Sequence, residues 1–395
     1  MKKLFFVLAL LIPVVIYAQT IKTDVLVLGN SNAAFAAGVQ ASESGVNAII
    51  LTQSDGFKLG DYRNFPENGV TKAFEKRARK SLKLADTVAI PEMNYQILNA
   101  IIKTWSDSSK LFDVINNASY YEIKRSGSGW EAKLTKDKSI KAKVLIVTDH
   151  ADRILSALKI PSLKIAETST INYSENVYRT TIGGLQRTSN FLSLYNLLIP
   201  DQENILYIGA DSFEIGQAAG ATAAYGAFYK TKTSLSNLKR IQGELLAYKL
   251  SLMPFEDVKV IDSNWLAIQK VGITGILKAD IKDGKLFFNP EKEVAYNEIK
   301  QPIKDYYYKA QIWFDDHHNI PINLENTISM VSYVGNKAVD ATKTEIEKKW
   351  NKNYKFSSKY DLKKVLTRRE FSVIINEYLK PFDVVNVDRT GRVIR

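Results

Sequence analysis

The sequence predicts an α/β fold, a parallel sheet with helices, followed by a smaller and mainly helical C-terminal domain. An apolar run from Val25 to Leu28 is typical of a buried parallel strand, and it breaks at Gly29 before an Ala-rich, helix-prone segment. A second apolar strand is expected from Val46 to Leu51. From Ser236 the chain becomes aromatic, Lys-rich and punctuated by turns, which marks the change of architecture.

The first eighteen residues have the features of a secretory signal peptide. Lys2 and Lys3 give a positive start, the run from Leu4 to Ile16 is apolar, and Ala18 offers a small residue at a cleavage point. The alternative is an uncleaved membrane anchor, but a span needs about 20 apolar residues and a proline interrupts this shorter run. We therefore expect removal of residues 1–18 and a periplasmic or extracellular mature chain.

Composition excludes several classes of protein. The 395 residues include no cysteine, which excludes a lipid anchor on an N-terminal cysteine, a disulfide, a thiolate metal site and a cysteine nucleophile. The formal net charge is +12, and lysines are spread among acidic residues along the chain, which is typical of a solubilising surface. Binding to anionic glycans or lipids is the alternative. No zinc finger or long basic tract indicates nucleic acid, and no later segment has transmembrane length.

The opening strand, turn and helix are typical of a dinucleotide-binding unit, but the glycine fingerprint is altered. G-x-G-x-x-G would place glycine at 29, 31 and 34, and the chain has Gly29, Ser31 and Ala34. The second glycine lets the backbone touch a diphosphate, so Ser31 is the serious departure. Asn32 and Ala33 complete the expected cofactor-binding turn.

The ends of the next strands supply further expected contacts. In dinucleotide-binding domains an Asp or Glu at the end of the second strand accepts hydrogen bonds from the ribose. This chain has Thr52 there, without a carboxylate, and Asp55 is the nearby substitute. A third strand is expected from Lys143 to Val147, and Asp149 follows it. We expect Thr52 and Asp149 at the cofactor-binding edge.

A fourth predicted strand ends at Gly209 and leads through Asp211 into an Ala-rich helix. That helix contains Gly216, Gln217 and Ala218 near its start. Small residues let a backbone approach a cofactor, and a helix N-terminus offers unpaired N–H donors and the positive end of a dipole. These residues are therefore the second group of expected cofactor contacts.

Residues 207–224 resemble the C-terminal flavin-binding segment of FAD-dependent oxidoreductases of the glutathione-reductase type, above all the secreted members from Bacteroidota. The resemblance extends over roughly residues 22–235 and implies a flavoprotein Rossmann-like domain at 20–235, with FAD as cofactor. In that family an Asp after the strand contacts the ribityl–phosphate region of the flavin, and Asp211 occupies that position.

Two departures from the family separate this chain from an ordinary member. The family's other strand ends Ala-Thr-Gly-Asp, and the corresponding run here is Val147-Thr148-Asp149-His150, without the glycine. Full-length relatives carry a large substrate domain before the last strand, and here only residues 151–203 fill that place. A flavin bound here would be exposed on its reactive side, which favours reaction with oxygen over controlled hydride transfer.

The region from residue 236 contains a different pattern. Trp265, Ile268 and Val271 lie at helical spacing for one buried face, and Gly272 and Gly275 end that predicted helix. The surrounding order is Phe-x-Asp-Val before the helix and Phe-x-Pro after it.

This order resembles an S-layer homology repeat, and a second, poorer copy ends with Thr367-Arg368-Arg369-Glu370. The resemblance implies an S-layer-homology-like helical domain at 236–395 that attaches to envelope polysaccharide. The alternative is a C-terminal helical cap that only packs against the first domain.

Three functions follow from these patterns. The first is a secreted FAD-dependent oxidoreductase acting on a small-molecule or sugar-derived substrate, although no catalytic residue is identified. The second is a catalytically inactive scaffold derived from such an enzyme, and the third is a protein that attaches to cell-envelope glycan. The run Asp315-Asp316-His317-His318 is interpreted as a polar surface loop, so no metal site is expected.

Overall fold

The structure is a computed structural model that describes residues 19–135, 138–148 and 165–394. The predicted signal peptide, Asp149 and His150 lie outside the described residues.

The strands of the described residues are β1 (Gln19–Leu28), β2 (Ala48–Leu51), β3 (Phe112–Ile115), β4 (Tyr120–Ser126), β5 (Gly129–Leu134), β6 (Lys138–Val147), β7 (Ser169–Thr170), β8 (Thr181–Gly184), β9 (Asn190–Ser193), β10 (Ile205–Tyr207), β11 (Asp280–Lys282), β12 (Lys285–Phe287), β13 (Asn386–Val387) and β14 (Val393–Ile394). The helices of the same residues are α1 (Asn32–Glu43), α2 (Gly69–Ser81), α3 (Tyr95–Ser108), α4 (Leu194–Leu197), α5 (Phe213–Phe228), α6 (Leu238–Ala247), α7 (Trp265–Thr274), α8 (Tyr296–Tyr306), α9 (Tyr308–Asp316), α10 (Leu324–Val334), α11 (Val339–Lys349), α12 (Arg368–Tyr378) and α13 (Pro381–Val384).

The main sheet has the strand order β3-β2-β1-β6, with all four strands parallel, and β10 runs parallel to the end of β6. At the centre Leu26 lies beside Ile49 of β2 and Leu145 of β6. On the edge away from β1, the first half of β6 pairs with the antiparallel strand β5, which forms a hairpin with β4. These pairings confirm the predicted α/β class.

The two faces of this sheet bury alternate residues of β1, because successive side chains of a strand point to opposite faces. Val25 and Val27 belong to the large core that also contains α1 and α5. Leu26 and Leu28 belong to a second core, which includes Trp130 of the β4–β5 hairpin. Both faces of the parallel strands are therefore covered, as their continuous apolar sequence requires.

Helices α1 and α5 pack against each other through small residues. A Cβ atom on Gly216 would lie 2.2 Å from the Ala33 carbonyl oxygen, and one on Gly220 would lie 2.3 Å from that of Ala37. Ala-rich helices permit this close backbone approach.

Residues 165–199 form the short antiparallel sheet β7-β9-β8 with α4. This segment bonds to residues that follow α5: the amide of Gly184 donates to the Ser251 carbonyl, and Arg179 Nε donates to the Thr274 carbonyl, both at 2.9 Å. The amide of Ala166 donates to the carbonyl of Tyr207 in β10 at 3.2 Å, so the segment connects the main sheet with the C-terminal region.

The C-terminal region is mainly helical, as predicted, and three extended segments organise it. The amide of Val294 donates to Leu366, the amide of Leu366 donates to Ile322, and the amide of Leu324 donates to Lys364, each at 3.0 Å. Because the three segments immediately precede or begin α8, α10 and α12, their pairing brings the N-terminal ends of these helices together. We call this arrangement the hub.

The division of the chain at residue 235 stays a prediction. One continuous core contains residues from both sides of that position, from Val25 of β1 to Phe382 of α13. Within the part of the chain that the structure describes, no helix combines the length and apolar character that crossing a bilayer requires.

Candidate functional site

The carboxyl ends of the parallel strands form a crevice beside β1, because the chain passes from β1 to β2 and β3 on one side and then to β6 and β10 on the other. Open α/β sheets bind ligands at such a reversal of strand order. Two predicted groups meet here, the turn between β1 and α1 and the loop between β10 and α5. Asn32 and Asp211, from these two segments, line the same cleft.

Two backbone N–H donors in the first turn of α1, those of Ala33 and Ala34, are filled by side chains of the protein. Ser31 is the N-cap residue, and its Oγ accepts from the Ala34 amide at 3.3 Å. The Asp211 carboxylate accepts from the Ala33 amide at 3.2 Å through Oδ1 and from Asn32 Nδ2 at 3.1 Å through Oδ2. The positive end of the helix dipole thus already faces a carboxylate.

The chain after β2 passes over the same turn. The amide of Lys58 donates to the Asn30 carbonyl at 2.8 Å, and the amide of Gly60 donates to Asn32 Oδ1 at 3.2 Å. Asn32 is consequently held on both sides, by Gly60 and by Asp211.

The two residues expected near the ribose, Thr52 and Asp55, form hydrogen bonds with other residues of the protein. The buried Thr52 hydroxyl accepts from the Ser54 amide at 2.9 Å and donates to the Ser54 carbonyl at 3.2 Å. Asp55 accepts from the Tyr95 hydroxyl at 2.5 Å, and this hydrogen bond is the main cause that raises the pKa of Tyr95 to about 12.

Four other residues that were predicted to contact the cofactor pack against other parts of the protein. A Cβ on Gly209 would lie 2.3 Å from Ile165 Cγ2, and Gly216 packs on Ala33. Ala218 is fully buried in the large core. Gln217 is buried, and its Oε1 accepts from the Val70 amide at 2.9 Å. Gly29 has a φ of 138°, which favours glycine at the sharp turn after β1.

The cleft beside Asp211 contains a buried acid that the sequence analysis did not identify. Glu214 is 6% exposed, and it accepts from the Ser212 hydroxyl at 2.7 Å and from the Gln186 amide at 3.2 Å. Burial raises the pKa of Glu214, and the hydrogen bond from Ser212, followed by the Gln186 amide and the charge of Arg187 on the same cleft, opposes that rise. The sequence feature that could have identified Glu214 is its position as a carboxylate in the first turn of a predicted helix.

The cleft has about 820 Å³ of empty volume, part of it open to solvent. Its lining consists of polar side chains with a few apolar ones: Asn32, Gly60, Asp61, Asn64, Phe65, Pro66, Leu185, Gln186, Arg187, Thr188, Asp211, Ser212, Phe213 and Glu214.

The residues present do not fit the diphosphate of a flavin dinucleotide. Ser31 places a side chain where the fingerprint has its second glycine, and its Oγ fills the Ala34 donor that a diphosphate would need. No chemical step is therefore assigned to a flavin here.

A second polar cleft lies at the hub, with about 730 Å³ of empty volume. Polar side chains and one phenyl ring line it: Asp262, Ser263, Asn264, Glu291, Lys355, Phe356, Ser357, Thr367, Arg369 and Glu370. Arg369 contacts two carboxylates, Asp262 through Nη1 at 2.6 Å and Glu291 through Nε at 2.7 Å.

The other repeat-like residues build the frame around this cleft. Thr367 and Glu370 form a capping box at the start of α12. Arg368 is buried, pairs with Glu298 and donates to the Lys278 carbonyl at 2.6 Å. Of the two adjacent arginines, only Arg369 lines the cleft.

The first repeat-like copy is also structural. Asp257 accepts from the amides of Phe288 and Asn289 at 2.8 and 2.7 Å, which joins the two halves of the motif. Trp265 is buried, and Gly275 ends α7 with a φ of 75°. These contacts explain the residue types at the predicted spacing.

The Asp315–His318 run lies at the end of α9. His317 stacks on Trp313 with ring centroids 4.4 Å apart and an interplanar angle of 10°. Nowhere in the described parts of the chain do three potential metal ligands cluster.

Comparisons with known proteins give distant structural likenesses. No protein family matches the chain, and no curated protein matches it. The chain is similar to thioredoxin reductase of T. acidophilum, with 16% identity, 32% of this chain and 35% of that chain covered, and a TM-score of 0.21. It is also similar to bacillithiol disulfide reductase from Staphylococcus aureus, with 13% identity and a TM-score of 0.22. That match covers 33% of this chain and 38% of the reductase.

The chain is also similar to p-nitrophenol 4-monooxygenase from Pseudomonas putida DLL-E4, with 12% identity and a TM-score of 0.29. That match covers 58% of this chain and 84% of the monooxygenase. The chain spans 35% of the length of the thioredoxin reductase that it matches. The fold assignment therefore depends on the strand order and register of this chain.

Proposed function

We propose that the protein is a non-catalytic glycan-binding protein of the cell envelope. In this proposal the flavoprotein-type sheet is a scaffold, and the helical C-terminal region binds the glycan.

The observation that carries the proposal is the polar cleft at the hub. Arg369, Lys355, Ser357 and Glu291 supply a guanidinium, an ammonium, a hydroxyl and a carboxylate to the cleft. These groups donate and accept hydrogen bonds in the mixed pattern that sugar hydroxyls require. The cleft also lies within the region whose sequence resembles envelope-attachment repeats, which supports a glycan as the ligand.

The carboxyl edge of the sheet supports the non-catalytic part of the proposal. Ser31 and Asp211 fill the Ala34 and Ala33 donors there, and Thr52 and Asp55 form hydrogen bonds with Ser54 and Tyr95. An envelope location is proposed from the predicted signal peptide.

Co-sedimentation of the full-length protein with purified peptidoglycan or surface polysaccharide tests this function. We expect binding in low salt and a loss of at least about tenfold in affinity for Arg369→Ala, about 1.4 kcal/mol. Lys363→Ala is the matched control, since Lys363 is an exposed cation of the same region that pairs with Glu325 outside the cleft.

A melting curve of each variant shows whether the fold is intact. Background levels of the wild-type protein in the pellet at low salt would contradict the proposed function. Equal binding by folded Arg369→Ala and by wild type would show that the hub cleft is not the binding surface.

A further inference from the structure

Helices α9 and α10 form the walls of a third cleft, which shares no lining residue with the hub cleft or with the cleft beside Asp211. It has about 950 Å³ of empty volume, part of it open to solvent. We propose that this cleft binds a short peptide whose N-terminal ammonium and C-terminal carboxylate are both free. The inference is independent of glycan binding at the hub.

The antiparallel course of the two helices gives the cleft two chemically different ends. At one end Lys309 Nζ, from the start of α9, donates to Asn336 Oδ1, just after α10, at 3.3 Å. At the other end Asp316 is the last residue of α9, about 10 Å further along the helix axis at 1.5 Å per residue. A cation and a carboxylate therefore lie at opposite ends of one cleft.

These two charges are not neutralised by the protein. In the part of the chain that the structure describes, neither Lys309 nor Asp316 forms an ion pair, and both residues are exposed. Lys337 also lines the cleft, and its Nζ lies 5.4 Å from the ring centre of Tyr378. Lys309 and Asp316 are therefore the two opposite charges that a ligand can neutralise.

His317 completes the carboxylate end of the cleft. Its Nδ1 donates to the Trp313 carbonyl at 2.8 Å, and its ring stacks on the Trp313 ring, so the imidazole has a fixed position. In the neutral ring Nε2 is then an acceptor next to Asp316 in the chain. A ligand ammonium has three N–H donors, and the Asp316 carboxylate and His317 Nε2 supply acceptors for them.

The wall between the two ends carries hydroxyl groups that suit a peptide backbone. Ser329 Oγ accepts from Trp313 Nε1 at 3.1 Å, which leaves the hydroxyl hydrogen for a ligand acceptor. Ser332 is 1% exposed, and its Oγ has no hydrogen-bond partner among the described residues. Because buried hydroxyls are normally hydrogen-bonded, Ser332 favours a polar ligand at this wall.

An extended peptide matches the cleft in length and polarity. The residues of an extended chain span about 3.3–3.6 Å each, so three residues cover about 10 Å. The carboxylate of such a peptide pairs with Lys309 and its ammonium pairs with Asp316. The exposed Tyr333 ring on α10 offers an apolar surface for the side chain between them.

Calorimetric titration of the full-length protein with alanine tripeptides tests the inference. The probes are trialanine with free termini, its N-acetyl form, its C-terminal amide and the form with both blocks. We expect binding of the free peptide and a loss of about fivefold in affinity for each single block, because each block removes one charge pair at an exposed site.

Variants of the protein assign each end of the peptide to a side chain. Lys309→Gln should weaken binding of the peptides with a free carboxylate and leave the affinity for the amide unchanged. Asp316→Asn should weaken binding of the peptides with a free amine and leave the affinity for the N-acetyl form unchanged. Lys348→Gln and Asp315→Asn are the matched controls, since Lys348 on α11 and Asp315 on α9 lie outside the lining of the cleft.

Melting curves show whether each variant is folded, and Arg369→Ala should leave trialanine binding unchanged, which separates this result from the glycan proposal. Absence of trialanine binding by wild type would overturn the inference, and so would equal affinity for the free and the doubly blocked peptide. Effects of Lys309→Gln and Asp316→Asn no larger than those of their controls would overturn the assignment to this cleft.

Discussion

Asp211 lies where the sequence predicts, directly after a strand and before an Ala-rich helix, but its partners lie far away in the chain. Ala33 and Asn32 precede it by 178 and 179 positions. A local pattern predicts the end of a strand, whereas the contact depends on how the sheet and the α1–α5 pair place two turns together. Gln217 illustrates the same limit, because its amide contacts Val70 at the start of α2.

Lys239 on α6 is a residue that no sequence motif indicated. Its Nζ lies 4.3 Å from the ring centre of Phe382, and burial lowers its pKa to about 8. The carboxylate of Asp383 opposes this shift, while the positive charges of Arg179 and Lys270 add to it. The folded protein therefore favours the neutral amine more than the unfolded chain does.

Lys239→Met is expected to stabilise the protein at pH 7 and to change the pH dependence of stability. Below pH 8 the lysine is charged in both states, so the cost of burying the charge is fully present. Between about pH 8 and 10.5 the unfolded chain binds more protons, so wild-type stability rises with pH, and the variant lacks this rise.

Urea unfolding at several pH values measures this difference, with Lys232→Met as the control at an exposed lysine. Parallel pH profiles for wild type and Lys239→Met would show that the buried charge of Lys239 does not affect stability.

At the scale of elements, the α1–α5 pair shows a different use of small residues from the one predicted. Gly216 was expected to let the backbone approach a cofactor, and the structure places it against Ala33 instead. Gly220 contacts Ala37 one turn further along. The Ala- and Gly-rich composition predicts that another group lies close to the backbone of α5. Composition does not specify whether that group is a cofactor or a second helix.

Gly220→Ala is expected to destabilise the protein by about 1–3 kcal/mol, because the new Cβ would lie 2.3 Å from the Ala37 carbonyl oxygen. Gly243→Ala is the matched control: Gly243 lies inside α6 with no neighbour near its Cβ position. The control should stabilise by about 0.5–1 kcal/mol. Chemical denaturation measures both, and equal effects of the two substitutions would refute the packing argument.

The hub was predicted from the sequence only in part. The sequence predicts two repeat-like copies, and the structure pairs three extended segments. The third segment precedes α10, where Asn323 caps the helix by accepting from the Asn326 amide at 2.9 Å. It was missed because an Asn cap replaces the Thr and Glu that form the capping box of α12.

At the scale of the whole molecule, the fold class follows from the sequence because buried parallel strands and Ala-rich helices carry strong local patterns. The way in which the sheet region contacts the helical C-terminal region does not follow from the sequence. Residues 165–199 connect the two regions, for example where Gln242 Nε2 donates to the carbonyls of Arg179 and Thr181. Such long-range hydrogen bonds have no local signal in the sequence.

In the proposed function the parallel sheet is a scaffold that holds no flavin, although its sequence resembles a flavin-binding domain. The most direct test is the visible absorption spectrum of the purified full-length protein, taken before and after incubation with excess FAD and gel filtration. No flavin absorption bands are expected in either sample, because Ser31 places a side chain where the fingerprint has a glycine and its Oγ fills the Ala34 donor. Flavin retained in about a one-to-one ratio with the protein would contradict the scaffold role.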